Sequence, residues 1–417
     1  MTISRPKSEE FCFVSRKRSF LKSTCWLLLT VGLIGTLHAE DFTYTTNNGA
    51  LTITGYNGSG GPIIIPNKIN GLPVTSIGQY AFFNCSSLTS VTIPDTVISI
   101  EALAFLYCSG LKNVSIPDSL TSIGDYAFVC CSSLLSISIP DNVTNVGDYA
   151  FQYCTALRTV TLGNGVSNIG SHGFDGCLSL ASVILPHSVA SLGEAAFQCC
   201  ASLTNVTIGD SVTSVGSYAF AFCSNLPRLA IPDSVTIIGD AACEGCTNLS
   251  NITIGNGVTN IGSQAFDGCT SLTCVTVPKS VTSIGACAFS YCSKLTRVYF
   301  KGNSPSVDST VFACDNSVIV YYLPDSCGWG CSFGGCSTVL LKVQALTAGA
   351  SFGVVNNQFG FPISGSSNLI VVVEACTNLV NPVWCPLSTF RLSEGASYFS
   401  DPQWAKYPGR FYRVRWP

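Results

Sequence analysis

Apolar and polar positions alternate along a short segment that returns every 23 residues: Val91-Thr92-Ile93, Val114-Ser115-Ile116 and Ile137-Ser138-Ile139 are three of its appearances. Period-two alternation places each segment on a half-buried strand with the hydroxyl outward. Pro94-Asp95 ends the first strand, because Pro cannot continue a ladder and Asp caps turns, and Gly163-Asn164 or Gly209-Asp210 serve the same purpose elsewhere. A second short extended run follows, as at Val97 to Ile100, and a recurring glycine, Gly124 and its equivalents, supplies a bend. Asp125-Tyr126-Ala127-Phe128 then reads as one to two helical turns, carrying Phe128 and Cys131 inward at i and i+3.

The whole unit recurs, in the form C-x-x-L-x-x-V-x-I-P-D-x-V-x-x-I-G-x-x-A-F-x-x-C. A Cys column runs at the 23-residue interval from Cys85 to Cys292, and Cys314 arrives one residue early. Leu and Phe columns run beside it, and Cys243 stands where the Phe column is due. A fixed period of this size marks a solenoid, in which no unit buries its apolar faces alone and stacking is obligatory. Two states are open to the Cys column. A free thiol packs as a small hydrophobe, whereas disulfides between neighbouring rungs need Cβ atoms closer than a coil spacing of about 4.8 Å; the geometry favours thiols.

The string IPDSVTSIG…AF…C…L resembles the BspA-type leucine-rich repeat of bacterial and protist surface proteins, over about residues 73 to 314. The resemblance implies a curved right-handed solenoid with strands on its concave side, and better-known members are adhesins for host or partner-cell proteins. The fold class expected is therefore mainly β with short helical turns: a curved leucine-rich-repeat solenoid with an N-terminal cap, plus a small C-terminal all-β domain. The opening FTYTTNNGALTITGYNGSGGPIIIP resembles the cap of secreted members, which an otherwise open first coil needs. The expected divisions are a signal peptide at 1–39, the N-terminal cap at 40–72, repeats at 73–314, a C-terminal cap at 315–344 and a separate β-module at 345–417. The last resembles a tail found behind unrelated secreted bacterial proteins, which implies sorting or surface attachment.

The leader reading rests on Arg16, Lys17, Arg18 and Lys22 followed by the apolar run from Cys25 to Leu37, too short to span a bilayer comfortably. An uncleaved anchor is the alternative, and either places the repeats outside the cytosol. No membrane span is expected after it. Only 10% of residues are charged and the formal net charge is −3, so a nucleic-acid partner is not expected.

Candidate chemistry is sparse, and neither an enzyme nor a cofactor is expected. His172 stands where other repeats have Tyr, and His187 occupies a turn position; neither has a nucleophile and carboxylate that the spacing would bring to it. Cys243 and Cys246 form a C-x-x-C from two column positions. Cys327, Cys331 and Cys336 lack a fourth zinc ligand, and Cys376 with Cys385 is the best disulfide candidate. The turn aspartates Asp95, Asp118, Asp141, Asp210 and Asp233 read as turn caps rather than a calcium column, since Asn164, His187, Asn256 and Lys279 interrupt them.

What remains is the outward strand face, a neutral sheet of hydroxyls and amides from Ser90/Thr92 to Asn251/Thr253. Extended solenoid faces bind partners. Pro227-Arg228-Leu229-Ala230 breaks its pattern, so Asn205, Thr207, Arg228, Asn251 and Thr253 are the ligand-binding candidates. The expected function is a secreted or cell-surface adhesion protein whose strand face binds an extracellular protein or glycan; the alternative is a structural envelope component with no specific ligand.

Overall fold

Each 23-residue unit closes one coil, and the coils stack so that every strand pairs in parallel with its equivalent one unit later. Ser136–Ile139 pairs with Thr159–Leu162, Ser136 opposite Thr159, while Asn145–Val146 pairs with Asn168–Ile169. The first strand is exposed at Ser136 and Ser138 and buried at Ile137 and Ile139, as its alternation requires. The computed structural model describes residues 39–315, 317–341, 343–347, 352–355, 357–365, 369–392 and 395–415. The leader expected over residues 1–39 lies, except for Ala39, outside them.

Two-residue strands such as Asn145–Val146 build one long sheet running from Phe42–Asn47 to Ser306–Val307. Its first two strands, Phe42–Asn47 and Ala50–Tyr56, form an antiparallel hairpin, and Ala50–Tyr56 pairs in parallel with Leu72–Ile77. That hairpin puts Phe42 and Tyr56 against Phe82, covering the open end of the Phe column. No side chain fits at the recurring glycine: a Cβ on Gly147 would lie 2.6 Å from the Asp125 nitrogen, so backbone meets backbone there.

The expected helical turns are absent. The segment from Asp125 to Cys131 is instead a set of turns whose N–H groups alternate between two destinations. Ala127, Val129 and Cys131 donate to carbonyls three residues back, whereas Tyr126, Phe128 and Cys130 donate to Asp148, Ala150 and Gln152 of the next coil at 2.8 to 2.9 Å. Left-handed backbone makes this possible, with φ of 57° at Tyr126 and 58° at Cys130. Such a conformation costs a non-glycine residue about 1–2 kcal/mol. The inter-coil bonds offset it, and they add a third hydrogen-bonded column to the two strand ladders.

Inside the coils the Phe rings stack nearly parallel, 5.2 Å apart for Phe128 and Phe151 and 5.7 Å for Phe197 and Phe220. The column is broken at Cys243, which is buried between Phe220 and Phe266. The Cys ladder is reduced, and it is more than a filler. Cys131 Sγ donates to the Phe105 carbonyl at 3.3 Å, Cys154 to Phe128 and Cys177 to Phe151, each one coil back. Burial pushes the thiols of Cys131, Cys154, Cys177, Cys200, Cys223, Cys269 and Cys292 up. At the half-covered end of the ladder, Cys85 is pushed up to about 11.

Beyond Phe300 the coil shortens but the ladder continues, because Ile319–Tyr322 pairs in parallel with Arg297–Phe300 and then with Cys336–Leu340. The C-terminal strands pack against the last coils. Their core of Phe361, Ile363, Val371, Val373, Leu392 and Phe399 closes over Tyr321, with Tyr299, Leu323 and Val339 packed against it. Two buried carboxylates fix these strands. Glu374 accepts from Arg415 Nε at 2.8 Å and Arg413 Nε at 2.7 Å, which hold its carboxyl below the usual range. Asp401 accepts from Arg410 Nη1 at 2.6 Å and the Tyr412 hydroxyl at 2.9 Å. Cys376 and Cys385 do not bridge: both are free, and Cys385 lies opposite Ala375, which leaves Cys376 on the alternate side of its strand.

Three stability measurements test this packing. Phe197→Ala should cost about 3–5 kcal/mol in urea denaturation, by opening a cavity between coils, while Thr207→Ala stays within about 0.5 kcal/mol; equal losses would refute the column. Cys243→Phe should raise stability by about 1 kcal/mol by completing the stack, and a lowered midpoint would mean that no ring-sized space exists there. The third concerns pH. Because burial raises the folded thiol values above the unfolded one near 8.5, the associated stability is whole below that value and drains away as pH rises past it. Under reducing conditions the denaturation midpoint should therefore fall between about pH 8 and pH 10.5, less steeply in Cys177→Ala. A flat profile would contradict a buried, reduced ladder.

Candidate functional site

The outward positions of the strand face are exposed along most of its length, from Asn113 and Ser115 to Asn251 and Thr253. All five expected ligand-binding residues are among them. They do not share one sheet, however. Asn205–Thr207 is the edge of a seven-stranded sheet, whereas Arg228–Ala230 and Asn251–Thr253 form a two-stranded sheet of their own.

Pro227 explains the first break. In preceding coils one N–H beside the strand always reaches back, from Arg158 to the Leu135 carbonyl, from Ala181 to Arg158 and from Thr204 to Ala181. Pro227 occupies the next place in that series and has no N–H to give. Its own carbonyl then accepts three hydrogen bonds, from Ser250 N at 3.0 Å, the Ser250 hydroxyl at 3.1 Å and Asn251 N at 3.3 Å. A second break separates Asn251–Thr253 from Cys274–Val277.

A trough begins at the first break and crosses the second. One part, about 430 Å³, is lined by Arg228, Ala230, Asn251 and Thr253; the other, about 290 Å³, by Asn251, Thr253, Asn256, Cys274, Thr276 and Lys301. The volumes match the lower end of ordinary ligand sites, about 300–1,000 Å³. Ser250, Asn251 and Thr253 line both parts, so the trough is continuous. It ends toward the C-terminal module, because Thr276 pairs with Tyr299, which stacks 5.1 Å from Tyr321 in the module's core.

Several of these residues escaped the sequence reading. Arg228 is not the sole charge on the face: Arg297 occupies the equivalent outward position three coils later, beside Cys274. Lys301 follows a strand rather than sitting on one, and no alternation marks it. The covering of Tyr299 and Tyr321 had a signal, since R-V-Y-F and I-V-Y-Y put aromatics where other coils have Ser or Thr.

The remaining candidates are structural. His172 Nδ1 lies 3.2 Å from Asp175 Oδ2, and its ring continues a stack with Tyr149 at 4.6 Å. Asp175 also accepts from Gln152 Nε2 at 2.9 Å. Asp141 Oδ1 accepts the Asn164 N–H of the next coil, and Asp233 Oδ1 that of Asn256, both at 2.7 Å, so these aspartates cap the neighbouring turn. Cys243 and Cys246 lie buried in one turn. Among the described residues no group of three or more His, Cys, Asp or Glu side chains is arranged to hold a metal ion, and no helix is long and apolar enough to cross a membrane.

No curated protein is significantly similar to the chain. Among solved structures, a leucine rich cell surface protein from Faecalibacterium prausnitzii A2-165 is 27% identical over 70% of this chain and 95% of its own, with a TM-score of 0.41. A leucine-rich repeat protein from Bacteroides ovatus is 23% identical, covering 74% of this chain and all of its own at a TM-score of 0.40. The pneumococcal vaccine antigen PcpA is 19% identical, covering 69% and 93%, with a TM-score of 0.45. The model of the BspA type leucine rich repeat region matches residues 75–201, 145–258 and 213–328, which overlap to span more than half of the chain. With the 23-residue coil, the parallel ladders and this match in hand, the chain belongs to the BspA-type leucine-rich repeat family.

Proposed function

We propose that the protein is a secreted or cell-surface binding protein, not an enzyme, which holds an extracellular protein or glycan on its strand face. The observation that carries this reading is the trough that begins at the first sheet break and crosses the second. Its coils are those in which the strand ladder is interrupted, and Asn251 and Thr253 stand in it with exposed side chains. Family membership supports display outside the cell, as does the basic and apolar leader composition. A purely structural envelope component would have no use for an opened face. Hydrogen-bonding side chains without apolar anchors suit a hydrated partner.

The test is the triple substitution of Asn205, Arg228 and Asn251 by Ala in the full chain, measured against an array of immobilised matrix proteins and surface glycans. Binding should fall by tenfold or more, about 1.4 kcal/mol, with the melting temperature unchanged because all three side chains are exposed. Undiminished binding would refute the face as the site. Deleting residues 345–417 is a poor control, since it would uncover Tyr321.

A further inference from the structure

Charge is unevenly spread over the strand face. Near its N-terminal end a concavity is lined by Asp95 and Asp118, and farther along another is lined by Asp210 with His187. The trough reverses this sign. Arg228 stands at one end and Lys301 at the other, both exposed, and no carboxylate lines the space between them. The carboxylate beside it, Asp233, is engaged through Oδ1 by the backbone N–H of Asn256 at 2.7 Å and its Nδ2 at 3.2 Å. Arg297, next to Cys274 in the ladder, has its Nε buried without a hydrogen-bond partner. In a chain of formal net charge −3, this local excess of cations is not a reflection of overall composition.

The other lining groups narrow the class of ligand. Hot spots of protein interfaces are enriched in Trp, Tyr and Arg packed in desolvated pockets; here no Trp or Tyr lines the space, Arg228 is exposed, and Leu229, Ile252 and Ile254 are buried in the coil. What faces the space, besides Ala230 and Cys274, are Ser250, Asn251, Thr253, Asn256 and Thr276. Hydroxyls and amides in a row pair with sugar hydroxyls, each as donor and acceptor. An extended peptide strand would need free backbone groups, but here Ser250 and Asn251 donate to Pro227, and Arg228–Ala230 pairs with Asn251–Thr253.

We propose that the trough between Arg228 and Lys301 binds an anionic polysaccharide, with sulfate or carboxylate groups on the two cations and sugar hydroxyls on the side chains between them. This rests on the strand face being the binding surface. Arg228 offers a planar fork to an oxyanion and Lys301 a point charge. Arg228 and the coil that carries Lys301 are three coils apart, about 14 Å at about 4.8 Å per coil, so the two anionic groups recognised lie on sugars separated along the polysaccharide rather than on adjacent ones.

The experiment uses the full chain and three probes: dextran sulfate, polygalacturonate and neutral dextran. Dextran sulfate or polygalacturonate should bind and dextran should not, and the stronger of the two identifies the anionic group. Binding should weaken about tenfold or more between 0.05 and 0.5 M salt as the exposed charges are screened. Arg228→Gln and Lys301→Gln should each weaken it about five- to tenfold, whereas Lys112→Gln, an exposed cation outside the trough, should leave it unchanged, as should the melting temperature of all three variants. Equal binding of dextran and dextran sulfate would overturn the proposal, and so would full affinity of both trough variants for the polyanion. If that happens while the Asn205, Arg228 and Asn251 substitution still abolishes binding to the array, the anionic reading falls and the binding face stands. If the array binding survives that substitution, the face itself falls.

Discussion

Backbone hydrogen bonding between coils is the constraint on which everything else depends. A coil has too few partners of its own, so each N–H that is not closed within a turn must meet a carbonyl one unit away. Three such columns run through the solenoid: two strand ladders and the turn ladder in which Tyr126, Phe128 and Cys130 reach forward. Bonds of this kind fix the step between coils. The step then dictates the glycine at 147, where a Cβ would meet the Asp125 nitrogen, and it brings Phe rings into near-parallel stacks. Parallel stacking is not the best arrangement for an isolated aromatic pair. Here the ladder imposes it, and burial of the rings makes it worthwhile.

Much of this was legible in the sequence because the constraint is periodic. The alternation at Ile137-Ser138-Ile139 gave the strand and its outward face, and the Phe and Cys columns gave the core. The turn segment was misread for a physical reason. Phe128 and Cys131 at i and i+3 satisfy a helical pattern, and a Tyr or Cys gives no hint of left-handed backbone, which is penalised residue by residue and recovered only through bonds to another coil. Similarly, the thiol bonds to Phe carbonyls cannot be read from a spacing, because they join residues 26 apart on different coils. The irregular Arg228 segment was visible as a broken pattern. Lys301 was not, since it follows a strand and no alternation marks it; the aromatics of R-V-Y-F and I-V-Y-Y were a signal, but what covers them depends on how the last coils meet the module.

Two lapses from regularity shape the face. Pro227 removes a donor where the ladder expects one, and the face divides there. At the other end, aromatic residues replace hydroxyls and accept a second layer of β-structure, whose buried Glu374 and Asp401 are each held by arginine. Breaking such a pair would strand a buried charge, so the module's strands are fixed in orientation as well as packed.

The identity of the coil-to-coil bonds also bears on how such a gene changes. An in-frame duplication or loss of one whole unit between, for example, Val143 and Val212 would leave every remaining coil facing a neighbour of the same kind, with the same Phe, Cys and Gly contacts. A single inserted residue would shift every later rung out of column. Recombination between repeats is therefore structurally quiet in the regular stretch and costly beyond Pro227. The length of the protein can drift across generations while the trough and its adjoining module are inherited as a block.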